Sequence, residues 1–204
     1  MSRYVGRANA AKRLAQLDGA PGHSVYADGA ARFEPAEGEA IVVRPPFKLR
    51  YTGEYDVVRV GPLLEEIAED RRVGALLVRL GGYAVGVYEG ERLVASKVGQ
   101  RLVHGRHRAG GSSANRFRRR REEQARLALL SAAGVAELLL GPERERLDAI
   151  ALGGDRAAIR RLIELQPGLA WLDDLALERF FTVPEPRRAV LERLPYDLYA
   201  VEFG

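Results

Sequence analysis

Cysteine is absent from this chain of 204 residues, and histidine occurs only as His23, His104 and His107. The first absence excludes disulfides and thiolate-bound metal. Three histidines spread in this way offer no histidine-rich zinc site, so neither a metal nor any other cofactor is expected. Long hydrophobic runs are missing too: no stretch approaches the roughly eighteen consecutive apolar residues that a membrane span requires. The opening residues, MSRYVGRANAAKRLAQLDG, contain no continuous apolar segment of the secretory kind, which leads to the expectation of a cytoplasmic protein without a membrane partner. Lysine is rare as well, with only Lys12, Lys48 and Lys97 among 32 basic residues, so arginine carries the positive charge.

What is present is an apolar fraction of 47% with 29% charged residues, the composition of a folded domain with a core of ordinary size. The formal net charge of +4 conceals an asymmetry. Residues 97–126 hold ten Lys and Arg against Glu122 and Glu123, a local net charge of +8 that leaves −4 for the rest of the chain. An acidic body with one basic segment argues for a localised polyanion site.

Along the chain, residues 8–17 predict a short helix, and 23–29, 31–35 and 39–47 read as extended segments interrupted by Pro45-Pro46. This part is expected to be a small β-rich appendage over residues 1–60, followed by one α/β domain over 61–204. In the latter, GPLLEEIAED predicts a helix, and VGALLVRL, YAVGVYEG and ERLVASKVGQRLV predict an antiparallel meander. A helix over 116–140, a strand over 146–154, a helix capped by Asp155, a short strand over 168–174, a helix over 184–194 and a last strand over 196–203 complete the order. The expected fold is α/β (α+β), with a mixed sheet of β-β-β-α-β-α-β ordering like that of ribonuclease H-like folds. The first of those strands holds no acid, which disfavours a two-metal nuclease on this scaffold.

Function is concentrated in residues 99–124, GQRLVHGRHRAGGSSANRFRRRREEQ. Arg116 and Arg118 to Arg121 stand in the first turns of a helix, where the dipole favours anions, and four consecutive arginines point around most of the circumference. Such a segment cannot lie flat on an apolar core and projects into solvent. A glycine-serine loop with free amides, followed by a fan of guanidiniums, forms a phosphate-binding surface. His104 and His107 have no acidic partner nearby in sequence and read as RNA contacts or surface residues rather than as a general base. Asp155, after Gly153-Gly154, reads as a helix N-cap rather than as the end of a phosphate loop.

The stretch HRAGGSSANRFRRR, residues 107–120, resembles the loop-to-helix motif GRGGQSxxRFxRxR in the middle domain of archaeal and eukaryotic class I peptide-chain release factors. It aligns without a gap over Gly110, Gly111, Ser113, Arg116, Phe117, Arg118 and Arg120. The chain as a whole is similar to the bacterial branch of the VLRF group, ribosome quality-control release factors with peptidyl-tRNA hydrolase activity. The resemblance covers residues 73–204 by element order and is tight over 99–124. It implies a loop that enters the peptidyl-transferase centre of a stalled ribosome, with the large subunit, its rRNA and peptidyl-tRNA as partners and no role for DNA. In that family a glutamine helps to arrange the attacking water, and Ser112 stands in its place here. Gly110 and Gly111 would shape the loop, and the water would be ordered by Ser112, Ser113, backbone amides or Gln100. Arg101, His104, Arg106, His107, Arg108, Asn115, Arg116, Arg118, Arg119, Arg120 and Arg121 would contact RNA. The alternative is a ribosome-binding factor on the same scaffold that hydrolyses nothing.

Overall fold

A computed structural model describes residues 3–79, 81–100 and 113–204. In chain order the first elements are β1 (Arg3–Val5), α1 (Arg7–Ala15), β2 (Gly22–Ala27), β3 (Ala30–Pro35), β4 (Ile41–Arg44), β5 (Gly53–Tyr55) and α2 (Gly61–Ala68). There follow β6 (Arg72–Arg79), β7 (Gly82–Glu89), β8 (Arg92–Gln100), α3 (Ser113–Leu140), β9 (Ala149–Gly154) and α4 (Arg156–Leu165). The chain ends with α5 (Trp171–Asp174), α6 (Arg188–Leu198) and β10 (Val201–Phe203). These elements group into two compact units, residues 1–70 with 194–204, and residues 71–193.

The first unit is built on a six-stranded sheet of order β1-β10-β4-β3-β2-β5. Alternation along its strands turns Tyr26, Phe33, Val43, Val201 and Phe203 to one face, where Leu14 of α1 and Leu63 and Ile67 of α2 cover them. The hydroxyl of the one buried polar residue recorded there, Ser24, donates to the Val57 carbonyl and accepts from the Arg59 amide at 3.0 Å.

The second unit carries a four-stranded sheet of order β8-β7-β6-β9, antiparallel except for the parallel β6–β9 pair. It is the mixed sheet of the expected α+β fold. β6 is buried from Val73 to Val78, as expected of a strand covered on both faces. α3 and α4 pack on the sheet through Ala132, Ala136, Leu140, Ile159 and Leu162. α3 runs antiparallel to β6: Ala128, Leu129 and Ala132 line one small hollow with Val78 and Gly82, and Leu140 reaches Gly74. Residues 118–146 form the one candidate among the described residues long and apolar enough to cross a bilayer, with a mean hydropathy of 1.4 over the window. Ala132, Ala133, Val135, Ala136 and Leu140 of this segment close the core of the unit, while Leu127 and Leu138 are exposed.

Two element readings need correction. Residues 168–174 do not form a strand but a 3-10 turn, Pro167–Leu169, followed by α5. The amides of Leu169, Ala170 and Asp173 donate to the carbonyls of Gln166, Pro167 and Ala170 at 3.0–3.1 Å, closing local turns that an extended strand does not make. The last strand begins only at Val201, because residues 196–198 continue α6, and it joins the six-stranded sheet between β1 and β4 rather than the mixed sheet. α6 continues although Pro195 lies inside it. Proline removes the amide that would bond to the Leu191 carbonyl. The Tyr88 hydroxyl of β7 donates to that carbonyl instead, at 2.8 Å.

Candidate nucleic-acid interface

β6, β8 and β9 run in the same direction, so their C-terminal ends and the N-terminal ends of α3 and α4 meet at one edge of the four-stranded sheet. The basic segment is attached at this edge. β8 brings it there, with Gly99 opposite Tyr83 and Gln100 opposite Gly82. A Cβ at Gly99 would lie 2.3 Å from the Tyr83 ring, so a side chain there would displace that ring. The Tyr83 hydroxyl lies 3.1 Å from Ser131 Oγ and ties the start of β7 to α3.

Of the sequence-predicted residues, Arg101, His104, Arg106, His107, Arg108, Gly110, Gly111 and Ser112 lie outside the described residues. Gln100 closes β8, and its Nε2 donates to Glu185 Oε1 at 3.2 Å; Glu185 is in turn paired with Arg187. Ser113 and Asn115 fall in the first turn of α3. Arg116, Arg118, Arg119 and Arg120 are exposed and Arg121 is half-buried.

The placement of α3 explains this exposure. Its first buried side chain among those described is Ala132, close to where the helix crosses the hollow at the sheet edge. At 1.5 Å per residue, residues 113–127 extend about 20 Å past that edge. A 100° step per residue sends Arg116 and Arg118 to Arg121 around the whole circumference of this overhang. Acid in reach is scarce: Glu122 Oε1 lies 3.8 Å from Arg118, and among the described residues no carboxylate pairs with Arg116, Arg119, Arg120 or Arg121. One turn further on, compensation begins. Glu123 accepts from Arg126 at 2.8 and 2.9 Å, and that bond holds its carboxyl below the usual carboxylate range.

The second parallel strand reaches the same edge through a close backbone approach. Gly154 has φ of +101°, and a Cβ there would lie 2.1 Å from the Val78 carbonyl oxygen. Only glycine fits, and the turn delivers Asp155 to the start of α4. Its Oδ1 accepts from the amides of Ala157 and Ala158 at 2.8 and 3.2 Å, the N-cap read from the sequence. Beside it, the Arg156 guanidinium stacks 4.1 Å above the Phe180 ring.

Comparison with known proteins gives this arrangement its kinship. Residues 71–203, about two-thirds of the chain and all of the second unit, match the model of the acVLRF1 family, described as the Actinobacteria/chloroflexi VLRF1 release factor. The chain belongs to the acVLRF1 family. Among solved structures it is similar to an archaeal translation termination factor, aRF1, at 15% identity and a TM-score of 0.44, over 96% of this chain and 73% of that one. A second structure, of an archaeal protein, gives the same identity and TM-score over 97% of this chain and 66% of the other. The acVLRF1 match ends one residue before the C-terminus and begins at the first residue of the second unit.

Sequence reasoning did not find Glu185 as the partner of Gln100, or the edge arginines Arg79, Arg156 and Arg160. Glu185 lies 85 residues away in the chain, with no motif around it. The i, i+4 spacing of Arg156 and Arg160 was the one visible signal, and it is shared by many amphipathic helices.

Proposed function

We propose that this acVLRF1 member is a peptidyl-tRNA hydrolase that acts on stalled ribosomes, with the segment 99–121 as its working end. The observation that carries the reading is the overhang of α3, with arginines on all sides and almost no acid to compensate them. A cationic rod of this kind is unfavourable in isolation, since cations at a helix N-terminus oppose the dipole, and it becomes favourable when phosphates surround it. Arg101, Arg106, Arg108, Arg116 and Arg118 to Arg121 hold rRNA, together with His104, His107 and Asn115. Gly110 and Gly111 shape the tip of the loop at the large-subunit peptidyl-transferase centre.

The chemistry asked of the loop is modest. Water attacks the carbonyl carbon of the ester, the bond to the tRNA ribose oxygen breaks, and that oxygen leaves with one proton of the water while the other passes to solvent, giving a free peptide carboxylate and tRNA. A site that excludes bulk solvent needs only to position one water and to donate hydrogen bonds to the developing oxyanion. Ser112, Ser113 and the neighbouring amides supply donors at the tip. Gln100 retains its amide oxygen as an acceptor, because the contact with Glu185 uses the nitrogen.

The second reading, a ribosome-binding factor without hydrolysis, is favoured by Ser112 at the position of the motif glutamine. Both are tested by release of peptide from purified complexes of large subunits with peptidyl-tRNA. Hydrolysis predicts release by the natural protein, loss of release in Gly110→Ala/Gly111→Ala with binding retained, and a reduced rate in Gln100→Ala if that side chain orders the water. Tight, salt-sensitive binding without release establishes the second reading. Replacing Arg118 to Arg121 by glutamate should abolish binding under either; undiminished binding would end both.

A further inference from the structure

Several charges in the second unit are paired. Arg92 pairs with Glu89, Arg126 with Glu123, Arg146 with Glu143, Arg161 with Glu164, Arg187 with Glu185 and Arg188 with Glu192. Among the described residues Lys97, Arg144 and Arg193 have no such partner, and neither do Arg156 and Arg160. The latter two are exposed on one flank of α4, one turn apart. Their neighbour Arg161 does find one, Glu164 at 2.8 Å, so acid is available on this helix and is spent elsewhere.

Like charges at i and i+4 repel, and Arg156 also opposes the dipole of α4. The nearest acid in sequence, Asp155, has its carboxylate turned to the helix amides. Stacking on Phe180 fixes the plane of the Arg156 guanidinium and leaves its N–H edges directed sideways, the geometry suited to phosphate oxygens. β6 pairs with β9 up to Val78 and Gly154, so Arg79 ends the adjacent strand. It is exposed, and its one recorded bond is from Nη1 to the Val183 carbonyl at 2.9 Å.

We propose that Arg156 and Arg160, with Arg79 beside them, form a second contact for an RNA backbone, separate from the arginines of α3. The two contacts lie two to three strand spacings apart along one sheet edge, about 10–14 Å. The first surrounds a projecting helix, and the second is a fixed patch at its base. An RNA surface that receives the helix meets this patch when insertion is complete. The proposal rests on the ribosome-directed reading above and adds to it a seat that registers the depth of insertion.

The test is binding of the purified protein to purified large ribosomal subunits across a series of salt concentrations. Three variants are compared with the natural chain: Arg156→Gln/Arg160→Gln, a control Arg144→Gln/Arg146→Gln at the opposite sheet edge with the same change in net charge, and Arg118 to Arg121 all replaced by Glu. Thermal melting checks that each is folded. The proposal predicts about a tenfold loss of affinity in the Arg156/Arg160 variant and a salt dependence shallower by one to two ions, with the control unchanged. Phe180→Leu, which removes the stacking surface and no charge, should give an intermediate loss. Equal losses in the edge variant and the control, or no loss in either, while the α3 variant fails to bind, would overturn the second contact and leave the ribosome reading standing. Unchanged binding in all three would overturn the reading itself, and with it this proposal.

Discussion

Tyr88 shows how one side chain resolves a conflict that the sequence creates elsewhere. Pro195 deprives the Leu191 carbonyl of its helical donor, and Tyr88 supplies a replacement from β7 at 2.8 Å. Burial pushes the Tyr88 phenol above its ordinary range, which favours the protonated form that donates this bond. Removal of the hydroxyl in Tyr88→Phe leaves a buried carbonyl unsatisfied, at a cost of about 1–3 kcal/mol. In a Pro195→Ala background the restored helical amide bonds to the same carbonyl, so Tyr88→Phe should cost less there. Urea unfolding of the two single variants and the double variant measures the coupling, and strictly additive costs would show that the hydroxyl does not act through Leu191. Neither partner advertises the other in the sequence: a tyrosine in a strand and a proline 107 residues later carry no shared motif.

At the scale of elements, α3 is two helices in function. Its C-terminal half packs Ala132, Ala136 and Leu140 into the core, and its N-terminal half carries arginine past the sheet edge. Gly134 stands in the packed half on the solvent side, with nothing within 4 Å of the position of a Cβ. Gly134→Ala should therefore stabilise the protein by about 0.5–1 kcal/mol, read as a rise in melting temperature, because it restricts the unfolded chain and meets no clash. A fall would mean that the exposed face of α3 needs a bare backbone there. This helix, the meander before it and the βα unit capped by Asp155 were legible in the sequence because periodicity and turn residues act locally. The strand read over 196–203 was not, since Tyr196 to Leu198 continue a helix in spite of Pro195, and the partners of Val201 and Phe203 are β1 and β4, nearly the whole chain away. The arginine run was equally plain, being local chemistry; the patch at Arg79 and Arg156 exists only once β6 and β9 are paired.

The second unit as a whole is polarised between its two sheet edges. At the edge that carries α3, Arg116, Arg119 to Arg121, Arg156 and Arg160 have no carboxylate partner among the described residues; at the opposite edge Arg72, Arg92 and Arg146 each have one. There Arg72 at the start of β6 bonds to Glu143 at 2.9 Å and to Glu89, and its backbone amide donates to Asp148 at 2.7 Å. These contacts tie β6, β7 and the turn after α3 together, with the Arg72 side chain 15% exposed. The Arg72 guanidinium holds the carboxyls of both Glu143 and Glu89 below the usual range. Because folded-state values are lowered, the stabilisation is present above the ordinary glutamate pKa of about 4.3 and is lost as pH falls through the lowered values. Melting temperature should thus change little between pH 7 and about 5.5 and drop in more acidic buffer. Arg72→Met should melt lower at pH 7, by about 1 kcal/mol or a few degrees, and the two curves should converge as acid removes the contribution from the natural protein. A constant offset down to pH 3 would show that Arg72 acts through packing and not through its carboxylates. The edge opposite α3 is thus the one that gains stability from charge pairing within the chain, while the edge that carries α3 leaves its arginines available for the contacts proposed above.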